Sequence, residues 1–358
     1  MVNKDIKSRR IESTISDIEK QEIDQISSAC ADLERNFLGK AWSKAEDKKR
    51  TPDGHMEARD ATKFDKSNYN GIAVGRRLVA GRDTGELCIK LLVERKAPPD
   101  AIEYEALAEP SWKGFKTDVV QAGILRARSG SQLIPPVARL NPLQRHRPAP
   151  GGVSVGHKSI TAGTLGCWCT SGQEDNLILS NNHVLANSNQ SQIGDAIFQP
   201  GPLDGGIDPR NKIAELFKFV PLDFSGGDNF VDAALAKPVN PDVVSPDIAN
   251  IGGVTGLVCN ASLNTAVQKS GRTTGHTTGE ITGLNATVRV DYREAGTAVF
   301  RGQYIITPGG FSDGGDSGSL IVTNSNRAIA LLFGGSDLQT IANPICRVMD
   351  ELDITGIL

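Results

Sequence analysis

Three short stretches of this chain carry residue types that can act on one another chemically. Near the C-terminus, Ser312-Asp313-Gly314-Gly315-Asp316-Ser317-Gly318-Ser319-Leu320 sets a serine in a glycine-flanked turn. Upstream lie Leu179-Ser180-Asn181-Asn182-His183-Val184-Leu185 and Phe230-Val231-Asp232-Ala233-Ala234-Leu235. A neutral serine hydroxyl is a poor nucleophile: it needs an imidazole to take its proton and a buried carboxylate to fix the imidazole tautomer. Ser317, His183 and Asp232 supply those three groups. The glycines let the turn adopt unusual backbone angles, so that the N–H groups of Gly315 and Ser317 can converge on a developing oxyanion. Taken alone, a Gly-Gly-Asp-Ser-Gly-Ser cluster reads as a polar loop. Three stretches in sequence, each beside an apolar strand-like run, favour the catalytic reading. His183 ends such a run, whereas His146, His157 and His276 sit in polar or loop contexts. Asp232 precedes an apolar run that would bury it, whereas Asp223 and Asp228 border a glycine-rich turn.

The order His, Asp, Ser and these motifs resemble the trypsin-like (chymotrypsin-fold) serine proteases. Gly315-Asp316-Ser317-Gly318-Ser319 is similar to that family's nucleophile motif, Leu179 to His183 to its histidine motif, and Val231 to Leu235 to its aspartate strand. Lys269-Ser270-Gly271-Arg272-Thr273-Thr274-Gly275-His276-Thr277-Thr278-Gly279-Glu280-Ile281 resembles the opening of the second barrel in bacterial secreted members such as streptogrisins. The likeness spans about residues 150 to 358. The chain departs from the pattern at Asn181-Asn182, at Val184 and at Ser319. The resemblance implies a serine endopeptidase that forms an acyl-enzyme on Ser317, acts on a protein or peptide, and uses no metal or organic cofactor. It implies an oxyanion hole at Gly315 and Ser317. Substrate would contact Phe311, Ser312 and Asp313, with Gly334, Gly335 and Ser336 pairing edge-on with its backbone. Phe311 at the base of the specificity pocket would favour small or medium apolar side chains. The competing reading is a catalytically silent scaffold that keeps the barrels.

The chain has 358 residues, enough for two or three domains, and a formal net charge of −3, which provides no global attraction for nucleic acid or anionic membrane. No apolar run approaches a membrane span, and the N-terminus lacks a signal-peptide core. A cytoplasmic protein is the expectation. Six cysteines, Cys30, Cys88, Cys167, Cys169, Cys259 and Cys346, are scattered along the chain, and free buried thiols are expected. Cys167 and Cys169 flank Trp168 and would face one side of a strand.

The expected fold is mainly β: a double antiparallel β-barrel of chymotrypsin type, preceded by an N-terminal helix and a small α/β domain. Ile11, Ile15, Ile18, Ile26, Cys30, Leu33 and Phe37 recur at helical spacing, which predicts that residues 10 to 45 are helical and packed on their own protein. Residues 1–68 form this helical segment with its linker, 69–128 the small α/β domain, and 129–152 an exposed Pro- and Arg-rich connector. Residues 153–358 form the two barrels, about 153–240 and 265–345, with a closing helix within Asn343 to Leu352. The N-terminal region is large and patterned enough to control the cleft or to meet a regulatory partner.

Overall fold

The computed structural model describes residues 10–11, 16–39, 64–127 and 140–358. Most of the expected linker and the first part of the connector lie outside these residues. Helix α1 (Asp17–Leu33) starts where Ser16 accepts a hydrogen bond from the Glu19 N–H, with Asp17 and Glu19 in the positive first turn. It buries Ile23, Ile26, Ala29, Cys30 and Leu33, while Ile18 stays 79% exposed. Each fully buried isoleucine or leucine contributes roughly 1.5–3 kcal/mol. The helix packs on its own protein, against β1 (Tyr69–Val79) and β2 (Arg82–Val93), but it does not begin at residue 10: Arg10 and Ile11 are extended and pair in parallel with Leu257 and Val258.

Strands β1 and β2 form an antiparallel hairpin, and β3 (Phe115–Gln121) runs parallel to β2. Between β2 and β3 the chain makes a 3-10 turn, Pro99–Ala101. These strands do not form a sheet of their own: β1 pairs with a strand of the second barrel, Gly71 opposite Val288 and Gly75 opposite Gly283. A core shared by Ile23, Ile26, Ile72, Val74, Ile89, Leu91, Ile281, Ile306 and Leu332 ties helix, hairpin and barrel together. A two-residue strand, β4 (Arg126–Ala127), then runs onto the second barrel.

The first barrel comprises β5 (Ser154–His157), β6 (Gly163–Thr164), β7 (Cys167–Ser171), β8 (Leu177–Ser180), β9 (Ala196–Phe198), β10 (Lys212–Phe219) and β11 (Ala234–Pro238). β6 and β7 are one run of chain, bridged by Leu165 N–H to Val153 O and Gly166 N–H to Leu179 O, so the ring closes from β5 round to β9. Alternation sorts the side chains. Trp168 and Ile178 point into the barrel, and Cys167, Cys169, Leu177 and Leu179 point to the core behind it. The two cysteines share a face, as the spacing implies.

The second barrel comprises β12 (Ala266–Gly271), β13 (Gly275–Asp291), β14 (Thr297–Thr307), β15 (Leu320–Thr323), β16 (Arg327–Gly335) and β17 (Thr340–Pro344). Pairings run 12-13-14-17-16-15 and back to 12, a closed ring of antiparallel strands. The two-barrel architecture is therefore present, with the N-terminal helix before it. The last strand, β18 (Ile354–Ile357), lies beyond the expected barrel range; it follows helix α3 (Ile345–Leu352) and returns to pair with β7 of the first barrel.

Two expectations need correction. Cys259 and Cys346 are joined in a disulfide across 87 residues of sequence, tying the inter-barrel crossing to α3. The free-thiol expectation holds only for Cys30, Cys88, Cys167 and Cys169, all buried. Within residues 140–152 the connector is not simply exposed. Pro142 and 149–152 are buried, Trp168 donates to the Ala149 carbonyl at 2.7 Å, and Arg147 donates to Gln199 Oε1 at 2.6 Å. Proline and arginine there serve packing and hydrogen bonding within the first barrel.

Candidate active site

His183 stands in α2 (Asn182–Leu185), a single turn at the end of β8, and Asp232 just before β11. β8 and β11 are neighbours, with Ser180 opposite Ala234, so two residues about fifty apart in sequence emerge side by side. His183 Nδ1 lies 2.6 Å from Asp232 Oδ2, and the His183 backbone N–H donates to Oδ1 at 3.2 Å. Donation of Nδ1–H leaves Nε2 as the open acceptor of the ring. Among the described residues, Nε2 has no hydrogen-bond partner.

The two asparagines before the histidine have defined work. Asn181 Nδ2 donates to the Asp232 carbonyl at 2.7 Å, tying the histidine turn to the aspartate strand. Asn182 Nδ2 donates to Val220 O and Asn189 Oδ1. Polar groups this deeply buried need such partners, and two consecutive asparagines in an apolar-flanked run were the available signal.

Three residues that sequence reading did not select complete the surroundings of Asp232. The Tyr292 hydroxyl donates to Oδ2 at 2.7 Å, and its ring meets the imidazole edge-on, 5.8 Å between centroids. Burial, then the Asp232 charge, push the Tyr292 pKa well up, so the phenol stays protonated and donates. Asn343 Oδ1 accepts from the Asp232 N–H at 3.0 Å, and Asn343 in turn donates to Gln303 Oε1 at 2.6 Å. Asp223 and Asp228 lie elsewhere. The first accepts from the Ser225 N–H in its own turn, and the second pairs with Arg301 at 2.6 Å.

Ser317 lies in the loop before β15, on the second barrel. The loop is fixed from below by Asp316, which is fully buried and accepts from the N–H groups of Thr273 and Asp313 and from the Thr274 hydroxyl. Lys269 Nζ, equally buried, sits 3.5 Å from the same carboxylate. The segment Lys269 to Thr274 thus anchors the serine loop through Asp316. The loop is fixed from the other barrel by Thr164, whose hydroxyl donates to Gly315 O and whose N–H donates to Ser317 O, both at 2.8 Å. Gly318 has φ +94°, and a Cβ there would lie 2.1 Å from Ser180 Oγ, so the approach of the two barrels requires glycine.

His183, Asp232 and Ser317 are 7%, 0% and 0% exposed. The Ser317 hydroxyl donates to the Phe333 carbonyl at 3.1 Å. Among the described residues, the N–H groups of Gly315 and Ser317 donate to no other group. Of the expected substrate contacts, Asp313, Gly335 and Ser336 line an open cleft of about 540 Å³, together with Gly314, Asp337 and Leu338 and a wall formed by Gln121 to Ala127. Gly334 lies behind that wall, and a Cβ there would lie 2.9 Å from the Arg126 carbonyl oxygen. Ser312 is buried, its hydroxyl 2.6 Å from that of Thr340. Phe311 is buried in the core beside Gly279 and Lys269 and does not line the cleft. The ring therefore gives no support to an apolar side-chain preference.

No protein-family model and no curated protein matches the chain. Among solved structures, the chain is similar to Nocardiopsis protease, at 16% identity over 58% of this chain and 97% of that one, TM-score 0.42. It is similar to Thermobifida fusca Protease A, at 20% identity over 58% and 97%, TM-score 0.42. It is also similar to a glutamic acid-specific serine protease, at 17% identity over 59% and 100%, TM-score 0.43. These likenesses describe architecture only, and the fold assignment rests on the two closed strand rings.

Proposed function

We propose that this protein is a serine endopeptidase in which His183, Asp232 and Ser317 form the catalytic triad. The observation that carries the reading is the buried His183–Asp232 pair at 2.6 Å, with Nε2 left open, between two barrels that also hold Ser317 in an anchored glycine loop. In the reaction, the Ser317 hydroxyl swings from the Phe333 carbonyl to His183 Nε2. The imidazole takes its proton as Oγ attacks the peptide carbonyl carbon. The oxyanion is received by the N–H groups of Gly315 and Ser317, each donor contributing roughly 2.7–4 kcal/mol to transition-state stabilisation. His183 returns the proton to the leaving amine, and water, activated by the same imidazole, hydrolyses the acyl-enzyme. Asp232 holds the imidazole, and Tyr292 holds Asp232. Gly334 to Ser336 belong to the edge with which a substrate backbone would pair. Ser317→Ala is expected to lower turnover by about 10⁶, read on a casein or peptide-library digest.

A second reading, a silent barrel used as a scaffold, draws on one observation: the Ser317 hydroxyl bonds to Phe333 rather than to His183. An active-site fluorophosphonate separates the two, since only a working triad is labelled. Among the described residues, no helix is long and apolar enough to cross a membrane. The Cys259–Cys346 disulfide favours an oxidising compartment over the cytoplasmic location expected from the N-terminus.

A further inference from the structure

The edge of β16 assigned above to substrate is already paired. β4 lies antiparallel to it, with Ala127 opposite Gly334 and Arg126 opposite Gly335. From Arg126 to Ala127 the chain advances along β16 toward Phe333, the residue whose carbonyl holds the Ser317 hydroxyl. The segment therefore runs toward the nucleophile with its C-terminal end leading, as the residues before the cut bond of a peptide strand would. We infer that Leu125–Ala127 is a resident occupant of the substrate edge, and that a peptide substrate binds only after this segment leaves. The inference rests on the peptidase reading.

The hold is specific. The Leu125 carbonyl accepts from the Asp291 N–H at 2.9 Å, the Gly123 carbonyl from Asn70 Nδ2 at 2.6 Å, and the Ala122 carbonyl from the Ser336 hydroxyl. Ala122, Leu125 and Ala127 are buried in a cluster that contains Phe333 and Tyr292, next to the triad. Gly123 turns the chain with φ +68°, directly against Ser336. Gly334 leaves the space that the Arg126 carbonyl uses. The triad side is consistent with a closed state: Ser317 is fully buried and its hydroxyl is engaged. Yet the ladder itself is only two residues long, bounded by the open cleft on one side. Two ladder residues on β16, the pairing of Arg126 with Asp291 of β13 and the flanking hydrogen bonds, which include the Ala122 N–H to the Val93 carbonyl at 2.7 Å, form a latch that a longer peptide pairing can outcompete, because apparent affinity scales with the fraction of molecules in which the edge is free.

The test uses the full chain and two substrates: p-nitrophenyl acetate, which needs no strand edge, and a fluorogenic peptide with at least three residues before the cut bond. Leu125→Glu should raise kcat/KM for the peptide relative to the ester by roughly tenfold or more. Asn70→Ala, which removes one flanking hydrogen bond and stays clear of the triad, should raise the ratio by about three- to tenfold, the range one hydrogen bond controls. If Asn70→Ala, with unchanged circular dichroism, keeps the wild-type ratio, and Leu125→Glu, where it folds, does so too, the latch is refuted while the peptidase reading stands. If wild type and both variants fail to turn over the ester and to react with a fluorophosphonate, the peptidase reading falls and the latch with it.

Discussion

Asp232 takes three donors at no solvent exposure: the His183 ring N–H, the His183 backbone N–H and the Tyr292 hydroxyl. The two ring-scale donors share Oδ2, so removing either loads the other. Asp232→Asn should leave the fold intact and lower kcat by about 10⁴, because the amide N–H donates to Nδ1 and holds the imidazole in the wrong tautomer. Tyr292→Phe removes a single hydrogen bond to a charged group, which corresponds to roughly 1.5–3 kcal/mol and thus about 10–100-fold in kcat. Its KM should stay within twofold and the acid limb of the pH–rate profile should move. An unchanged profile would mean that Tyr292 only packs. His183, Asp232 and Ser317 were legible because residue type, chain order and apolar flanks coincide. Tyr292 and Asn343 were not, since they reach Asp232 from 60 and 111 residues away, and nothing in their local sequence marks that contact.

The serine loop depends on a buried ion pair. Lys269 and Asp316 are both fully buried, and Asp316 holds the start of the loop through the Asp313 N–H. Breaking a buried pair by removing one partner leaves an uncompensated charge and costs about 3–5 kcal/mol. Lys269→Met is therefore expected to lower unfolding free energy in a urea titration by that amount, and to slow phosphonate labelling of Ser317 beyond the loss in folded fraction. A titration midpoint within error of wild type would show that the threonine N–H and hydroxyl groups hold Asp316 unaided. The segment from Lys269 to Thr274 stood out in the sequence by likeness alone. Its mechanical role, gripping Asp316 across 47 residues, becomes visible only when β12 pairs with β15. The barrel strands were mostly legible from alternation and turn residues. β18 was not, because its partner lies 185 residues upstream, where Thr355 meets Thr170.

At the scale of the molecule, the N-terminal strands extend the sheet of the second barrel and share its core, which composition and spacing did not foretell. Strand existence is a local property, but the partner of an edge strand is decided by which other edge is free and apolar. The cysteines give an independent check on this packing. Burial pushes the thiols of Cys30 and Cys167 up to about 12 and that of Cys88 to about 11, and Cys169 well above its usual value, so all four should resist alkylation at pH 8 in the native protein. Denatured without reductant, the protein should titrate as four thiols, and six would show that Cys259 and Cys346 are not joined. The most direct trial of the whole account is mass-spectrometric mapping of a fluorophosphonate adduct on the full chain. The account predicts a single adduct on Ser317, lost in Ser317→Ala and in His183→Ala. An intact, folded chain that stays unlabelled at every serine, or an adduct that persists on Ser312 or Ser319 in Ser317→Ala, would contradict it.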